Sequence, residues 1–184
     1  RHDVDLLSPA MPRLSVIIPA FQAEQRLAIC LVGLAQQSAE ASSFEVIVVD
    51  DCSDDASAEL ARTAGLRVLR HEINRGAAAA RNTGAKEARG EILLFLDSDV
   101  VPAPELVEAT LELFSNPEVE AATGCYSAVP ANNTRFARYK ALWTWHCWAQ
   151  TGGLSGQSSH LQGAIAAVRA PTFRALRGFD ESYK

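Results

Sequence analysis

The chain has 184 residues, 48% of them apolar and 21% charged, which is room for one domain with a sizeable core. Its formal net charge of -5 argues against a nucleic-acid surface, which carries a basic excess, so no nucleic acid is expected as a partner. No apolar run approaches the ~20 residues of a membrane-crossing helix, and residues 1–13 lack the apolar stretch of a signal peptide. Cys30, Cys52, Cys125 and Cys147 are far apart, without a CxxC pair, and read as reduced thiols of a cytosolic compartment rather than as a zinc site or disulfide framework.

Residues 1–13 read as a tail, with Pro9 and Pro12 breaking any helix. Leu14 to Ile18 is a short apolar run before Pro19 and reads as a buried strand. From Glu24 to Gln37, Leu27, Cys30, Leu31 and Leu34 fall on one face of a helix. Phe44 to Val49 is a second buried strand, rich in β-branched residues, that stops at Asp50-Asp51. Ser53 or Asp54 is expected to cap the next helix, and Gly65 to end it. Arg67 to Arg70, short and more polar, reads as an edge strand.

Gly76 to Arg89 reads as a helix of small residues that lets a sheet or a ligand approach closely, and Ile92 to Leu96 is the most apolar strand, ending at Asp97-Ser98-Asp99. Pro104 to Ser115 reads as a helix stopped before Pro117. Beyond residue 120 the rhythm weakens. Strands are expected over Ala121 to Tyr126 and Gly163 to Arg169, helices over Thr134 to Gln150 and Pro171 to Leu176, and a glycine loop around Gly152, Gly153 and Gly156. Strands alternating with helices imply an α/β fold with a mostly parallel sheet covered on both faces. In such sheets ligands bind beyond the carboxyl ends of the strands. Pro19-Ala20-Phe21, Asp50-Asp51 and Asp97-Ser98-Asp99 all fall at those ends, so three breaks converge on one rim.

The chemistry follows from the side chains on that rim. Asp97 and Asp99, one residue apart after a buried strand, can aim one or both carboxylates at Mg²⁺ or Mn²⁺, hard cations usually held by few carboxylates plus substrate phosphates. Asp50 or Asp51 can accept hydrogen bonds from nucleobase N–H groups or ribose hydroxyls, or else serve a helix N-terminus. Phe21 could cover a base, although a core position is the commoner place for a lone phenylalanine. Arg81 could clamp diphosphate oxygens, or pair with an acid at the surface. Tyr139, Trp143, Trp145, His146 and Trp148 cannot share one helix face, and core packing is the first reading of this cluster. His146 and His160 have no acid or cysteine at a ligand spacing.

Leu14 to Phe21, Val46 to Asp54, Asn74-Arg75-Gly76 with Ala80 to Gly84, Gly90 to Asp99 and Arg177-Gly178-Phe179-Asp180-Glu181 together resemble the family 2 glycosyltransferases of the GT-A fold. Each motif alone is ordinary, whereas their order and spacing are specific. The resemblance implies a donor half over 14–120 and the start of an acceptor half over 121–184. It implies that Asp51 binds the base of a nucleotide diphosphate sugar among Pro19, Ala20 and Phe21, with Ser98 beside the donor. Arg81 would serve the diphosphate, Asp97 the ribose or metal side, and Asp99 would ligate Mg²⁺ or Mn²⁺. The donor is expected to be UDP-linked, the acceptor a saccharide or a lipid-linked hydroxyl in polysaccharide or glycoconjugate synthesis, and the place cytoplasmic, peripheral to the inner face of a membrane.

One departure stands out. Inverting members take the acceptor's proton on a carboxylate in an acidic motif after the Gly-Phe-Asp-Glu segment, and this sequence reaches Lys184 before such a motif. The C-terminal part is therefore expected to be missing, with donor binding retained and transfer poor or absent. Two rivals remain. A nucleotidyltransferase would carry a Gly-rich, basic loop after the first strand, where Pro19 to Glu24 has neither glycine nor lysine. A sugar-nucleotide-binding module would bind without turnover.

Overall fold

The computed structural model describes residues 11–129, 134–150 and 164–182, and within the last helix of the middle segment leaves aside the side chains of 144, 145 and 147–150. Six strands, β1 (Leu14–Ala20), β2 (Phe44–Asp50), β3 (Arg67–Arg70), β4 (Ile92–Leu96), β5 (Ala121–Thr123) and β6 (Ile165–Arg169), form one sheet in the order β3-β2-β1-β4-β6-β5. The first four are parallel, and β6 runs antiparallel to both β4 and β5. Helices α1 (Glu24–Ala35), α2 (Ser57–Thr63), α3 (Ala77–Glu87) and α4 (Leu106–Leu113) connect or follow the parallel strands, and α5 (Arg135–Gln150) and α6 (Ala170–Ala175) complete the described elements. Among the described residues no helix is long and apolar enough to cross a membrane.

The central strands are apolar on both faces because both faces are covered. Every residue of β1 and β4 is buried. Val16, Ile18, Leu94 and Leu96 point toward the layer of α1 and α4 with Leu27, Cys30, Val107 and Phe114. Ile17, Val49, Leu93 and Phe95 face the opposite layer with Ala80 and Ala85 of α3. The small residues of α3 answer to this packing: a Cβ on Gly84 would stand 2.4 Å from Ile17 Cγ2. β3 is the polar edge its sequence suggests.

Two local expectations are corrected. Neither Ser53 nor Asp54 caps α2. Ser53 Oγ instead accepts the Gln22 N–H at 3.0 Å, and the Asp55 carboxylate takes the Ser57 N–H at 3.0 Å and the Glu24 N–H at 3.0 Å. The N-cap position of α2 is Ala56, which has no capping side chain, and Asp55 just before it ties the start of α1 to that of α2. The strand foreseen to Tyr126 stops at Thr123, with the Gly124 N–H making a last bond to the Ile165 carbonyl at 2.9 Å. The glycine loop at 152–156, Trp145, Trp148 and His160 lie outside the described residues or side chains, as does the tail up to residue 10.

Candidate functional site

The strand order reverses at β1: the chain moves outward through β2 and β3, then returns to place β4 on the other side of β1. A crevice forms at such a switch because the connections leave the carboxyl ends of the two strands in opposite directions. Pro19, Ala20 and Phe21 stand at the end of β1, Asp50 and Asp51 at the end of β2, and Asp97-Ser98-Asp99 at the end of β4, so the three breaks do share one rim. Pro19 and Ala20 are buried, whereas Phe21 is 50% exposed. The expectation of a core phenylalanine is thus overturned: Phe21 lies just past the last strand residue, in a tight turn where Gln22 has φ +48°, before the chain re-enters the core at Ala23.

Asp97 and Arg81 form an ion pair between β4 and α3. The arginine side chain is 13% exposed and lies over the Phe179 ring, 5.6 Å from its centre. It is therefore a largely buried pair rather than a surface one, and it brings a guanidinium, a carboxylate and the exposed Asp99 to the same end of the sheet. The turn at 97–100 is held by the Asp97 N–H on the Ala164 carbonyl and the Val100 N–H on the Asp97 carbonyl. Tyr126 comes to this corner after β5: burial, then the charges of Asp97 and Asp99, push its phenol above the usual tyrosine value. Cys30, beneath the same turn, has its thiol pushed up to about 12 by burial and by Asp99.

Asp51 is 3% exposed and serves the start of α3. Its Oδ1 accepts the Arg75 N–H at 2.9 Å and faces His71 Nδ1 at 2.6 Å, and its Oδ2 accepts the Gly76 N–H at 2.7 Å. The backbone it satisfies is the Arg75-Gly76 lead-in to α3 rather than the next helix in sequence. Asp50 is fully buried and pairs with Arg70 Nε at 3.3 Å.

The tetrapeptide Arg81-Asn82-Thr83-Gly84 sends each residue to a different neighbour. Arg81 reaches Asp97. Asn82 Nδ2 donates to the Phe179 carbonyl at 2.9 Å, and its Oδ1 accepts the Phe179 N–H at 2.9 Å. Thr83 Oγ1 lies 2.9 Å from His71 Nε2, and Gly84 packs on Ile17. The 177–181 turn is thereby docked on α3. Gly178, at φ +75°, leaves no space for a Cβ, which would fall 2.5 Å from Asn82 Oδ1. Glu181 accepts from Arg75 at 3.0 Å and from Asn82 at 2.9 Å, and Phe179 packs edge-on against Phe95, ring centres 5.0 Å apart. His71 and Tyr126 escaped the sequence reading. His71 immediately follows β3 on the same rim, a position that could have drawn attention to it.

Among the described residues, no three or more His, Cys, Asp or Glu side chains gather into a self-sufficient metal cage. The donor set still fits a hard cation of the Mg²⁺ or Mn²⁺ kind, since two oxygen-bearing carboxylates at one turn leave the remaining positions to phosphates and water. Among the described side chains of α5 the aromatics do not pack in a core as expected: Phe136, Tyr139 and Trp143 are 75%, 64% and 57% exposed, as is Leu142 at 56%, with the Tyr139 and Trp143 rings stacked.

Residues 15–177 match the model of Glycosyl transferase family 2. The chain belongs to that family. Among its curated relatives, the glycosyltransferase AglE of Haloferax volcanii is 34% identical over 142 residues, covering 74% of this chain and 47% of AglE. A glycosyltransferase of Haemophilus influenzae is 40% identical over 108 residues, covering 58% of this chain and 36% of its own. The chain thus spans less than half the length of either relative. Among solved structures, S. aureus TarS 1-349 in complex with UDP superposes with a TM-score of 0.75 at 23% identity, over 94% of this chain and 51% of that one. The mannosyltransferase PcManGT from Pyrobaculum calidifontis, in complex with GDP-Man and Mn2+, gives 0.72 at 24% identity, over 93% and 48%. These likenesses establish the GT-A fold, as the motifs of this family 2 chain imply.

Proposed function

We propose that this chain carries the donor-binding part of an inverting glycosyltransferase that moves a sugar from a nucleotide diphosphate sugar, UDP-linked in the first instance, to an acceptor hydroxyl. The observation that carries the reading is the rim at the β1/β4 switch, where Phe21, Asp51, Arg81, Asp97, Ser98 and Asp99 come from three strand ends and one helix. Pro19 and Ala20 form the floor beneath the base, Phe21 offers it an exposed ring, and Asp51 accepts from its N–H. Arg81 lies where a diphosphate would lie, already in contact with Asp97. A relative of known name points the same way: TarS of S. aureus, 38% identical over 94 residues, is a poly(ribitol-phosphate) β-N-acetylglucosaminyltransferase.

In the transfer, the acceptor oxygen bonds to the anomeric carbon from the face opposite the diphosphate, the bond from that carbon to the phosphate oxygen breaks, and nucleoside diphosphate leaves. Mg²⁺ or Mn²⁺ held by Asp99, with Asp97, would neutralise charge on the departing diphosphate. Arg81 adds a fixed positive group on the same side. The proton of the acceptor must pass to a carboxylate. Asp180 accepts the Ser182 N–H and Glu181 accepts from Arg75 and Asn82, which supports the reading that neither is the base and that it lies outside the described residues. Residues 14–120 supply the donor side and 121–184 begin the acceptor side. A saccharide or lipid-linked acceptor, and a peripheral place at the cytoplasmic face of a membrane, complete the proposal; the exposed aromatic side chains of α5 beside Arg135, Arg138 and Lys140 favour them.

Calorimetric titration of the chain with UDP tests the reading, first with Mn²⁺ and then with a chelator. Metal-dependent binding that disappears in Asp99→Ala is expected. Equal heats with and without metal, or no binding of UDP, GDP or dTDP, would overturn it. Robust transfer to simple acceptors by the chain as given would contradict the reading that its base lies elsewhere.

A further inference from the structure

We propose that His71 is a positioning residue for base recognition, fixing which oxygen of Asp51 is presented to the nucleobase. The inference rests on the reading of Asp51 as the base-binding carboxylate. An ionised carboxylate only accepts, and its two oxygens have about four lone-pair sites. At Asp51, His71 Nδ1 and the Arg75 N–H fill both sites of Oδ1, while Oδ2 holds the Gly76 N–H alone. One site on one oxygen is left for a ligand.

Take the imidazole away and the arrangement becomes symmetric. Each oxygen then holds one backbone N–H and has one open site, so either can be presented to the base. His71 breaks that symmetry, and it can do so because its own orientation is fixed. Its side chain is 7% exposed, its backbone N–H donates to the Asp50 carbonyl at 2.9 Å, and Nε2 lies 2.9 Å from Thr83 Oγ1. In the neutral ring, the Thr83 hydroxyl donates to Nε2, which leaves the proton on Nδ1 for Asp51. The chain of contacts Thr83–His71–Asp51 therefore links the middle of α3 to the end of β2.

A single acceptor site selects a base by the presence of one N–H. Uracil carries a ring N–H where cytosine carries an unprotonated nitrogen, so a fixed Oδ2 attracts the first and repels the second. A site built to pair with a donor discriminates strongly against the analogue lacking it. Discrimination between UDP and CDP is thus the property His71 controls, apart from any affinity contributed by the diphosphate.

The test is the ratio of Kd for CDP to Kd for UDP, measured with Mn²⁺ on the chain and its variants, with thermal melts alongside. The chain itself is expected to prefer UDP, and Asp51→Asn to lose the preference. His71→Ala should lower the ratio roughly tenfold, the scale of one charge-assisted hydrogen bond. His71→Asn, whose amide N–H can stand in for Nδ1–H, should restore most of it. Thr83→Val should lower it by less. Retention of the ratio in His71→Ala while Asp51→Asn loses it would overturn the proposal alone. So would a parallel loss of both affinities in the alanine and asparagine variants, with a lowered melting temperature, since that is the mark of a purely structural histidine. If the unaltered chain fails to prefer UDP, or Asp51→Asn keeps the preference, the base-binding reading itself fails and the proposal with it.

Discussion

Asn82 and Phe179, 97 residues apart, exchange two hydrogen bonds of 2.9 Å through a side-chain amide and a backbone peptide. The amide mimics a strand neighbour and holds the 177–181 turn against α3. Asn82→Ala should cost about 1–3 kcal/mol by leaving the half-buried Phe179 backbone without partners. Urea unfolding with an unchanged m-value checks it. Asn82→Asp keeps the acceptor but sets a second carboxylate against Glu181 and the Phe179 carbonyl, so it should cost at least as much as the alanine variant.

Gly84 has no room for a side chain. Its Cβ would stand 2.4 Å from Ile17 and 3.2 Å from Val49, both in the fully buried sheet. Gly84→Ala gains helix propensity in α3 but overpacks the core, and the packing term should win, with a net loss on the order of 1–3 kcal/mol. A denaturation midpoint equal to or above that of the unaltered protein would show that β1 yields more easily than its burial suggests.

Asp55 gives a pH signature. Burial raises its carboxyl, but the Ser57 hydroxyl and the backbone N–H groups of Glu24 and Ser57 more than offset that and hold it below the usual 3.8. Because the folded value is depressed, its contribution is present in full above the unfolded value and is lost as the pH falls through the lower folded one. The stability gap between the protein and Asp55→Ala should therefore be constant near neutrality and close in the acid range. A gap that widens on acidification would contradict the assignment.

Thiol chemistry separates the cysteines. Cys30 is buried with its thiol at about 12, while Cys125 is exposed. Since the thiolate is the reactive form, iodoacetamide at mildly alkaline pH should label Cys125 first and reach Cys30 only after unfolding, as peptide mapping would report.

Much of the fold is legible in the sequence because its strands are nearly continuous apolar runs with Asp or Pro at their ends. β3 and β4 fall where expected to the residue. Local order is also why the candidate carboxylates could be placed on one rim: each lies within three residues of its strand's end. Two of the misses, at Asp55 and His71, have a common physical source, contacts made at long range. Asp55 rather than Ser53 or Asp54 holds the start of α2 because Glu24, 31 residues earlier, shares it. Phe21 is exposed because the turn at Gln22 points it outward, which apolarity alone does not reveal. His71 carries no motif of its own, and its meaning appears only when Asp51 and Thr83 close around it.

Four consecutive residues of α3 face four different obligations: the acidic rim, the 177–181 turn, His71 and the floor of the sheet. A helix turns about 100° per residue, so inserting or deleting one residue ahead of this turn would swing every one of those side chains to the wrong neighbour at once. The segment therefore has a fixed phase, much as a key has, and changes within it should not combine additively. Its four positions act as one part, and repairing any one of them in a re-phased helix would restore nothing.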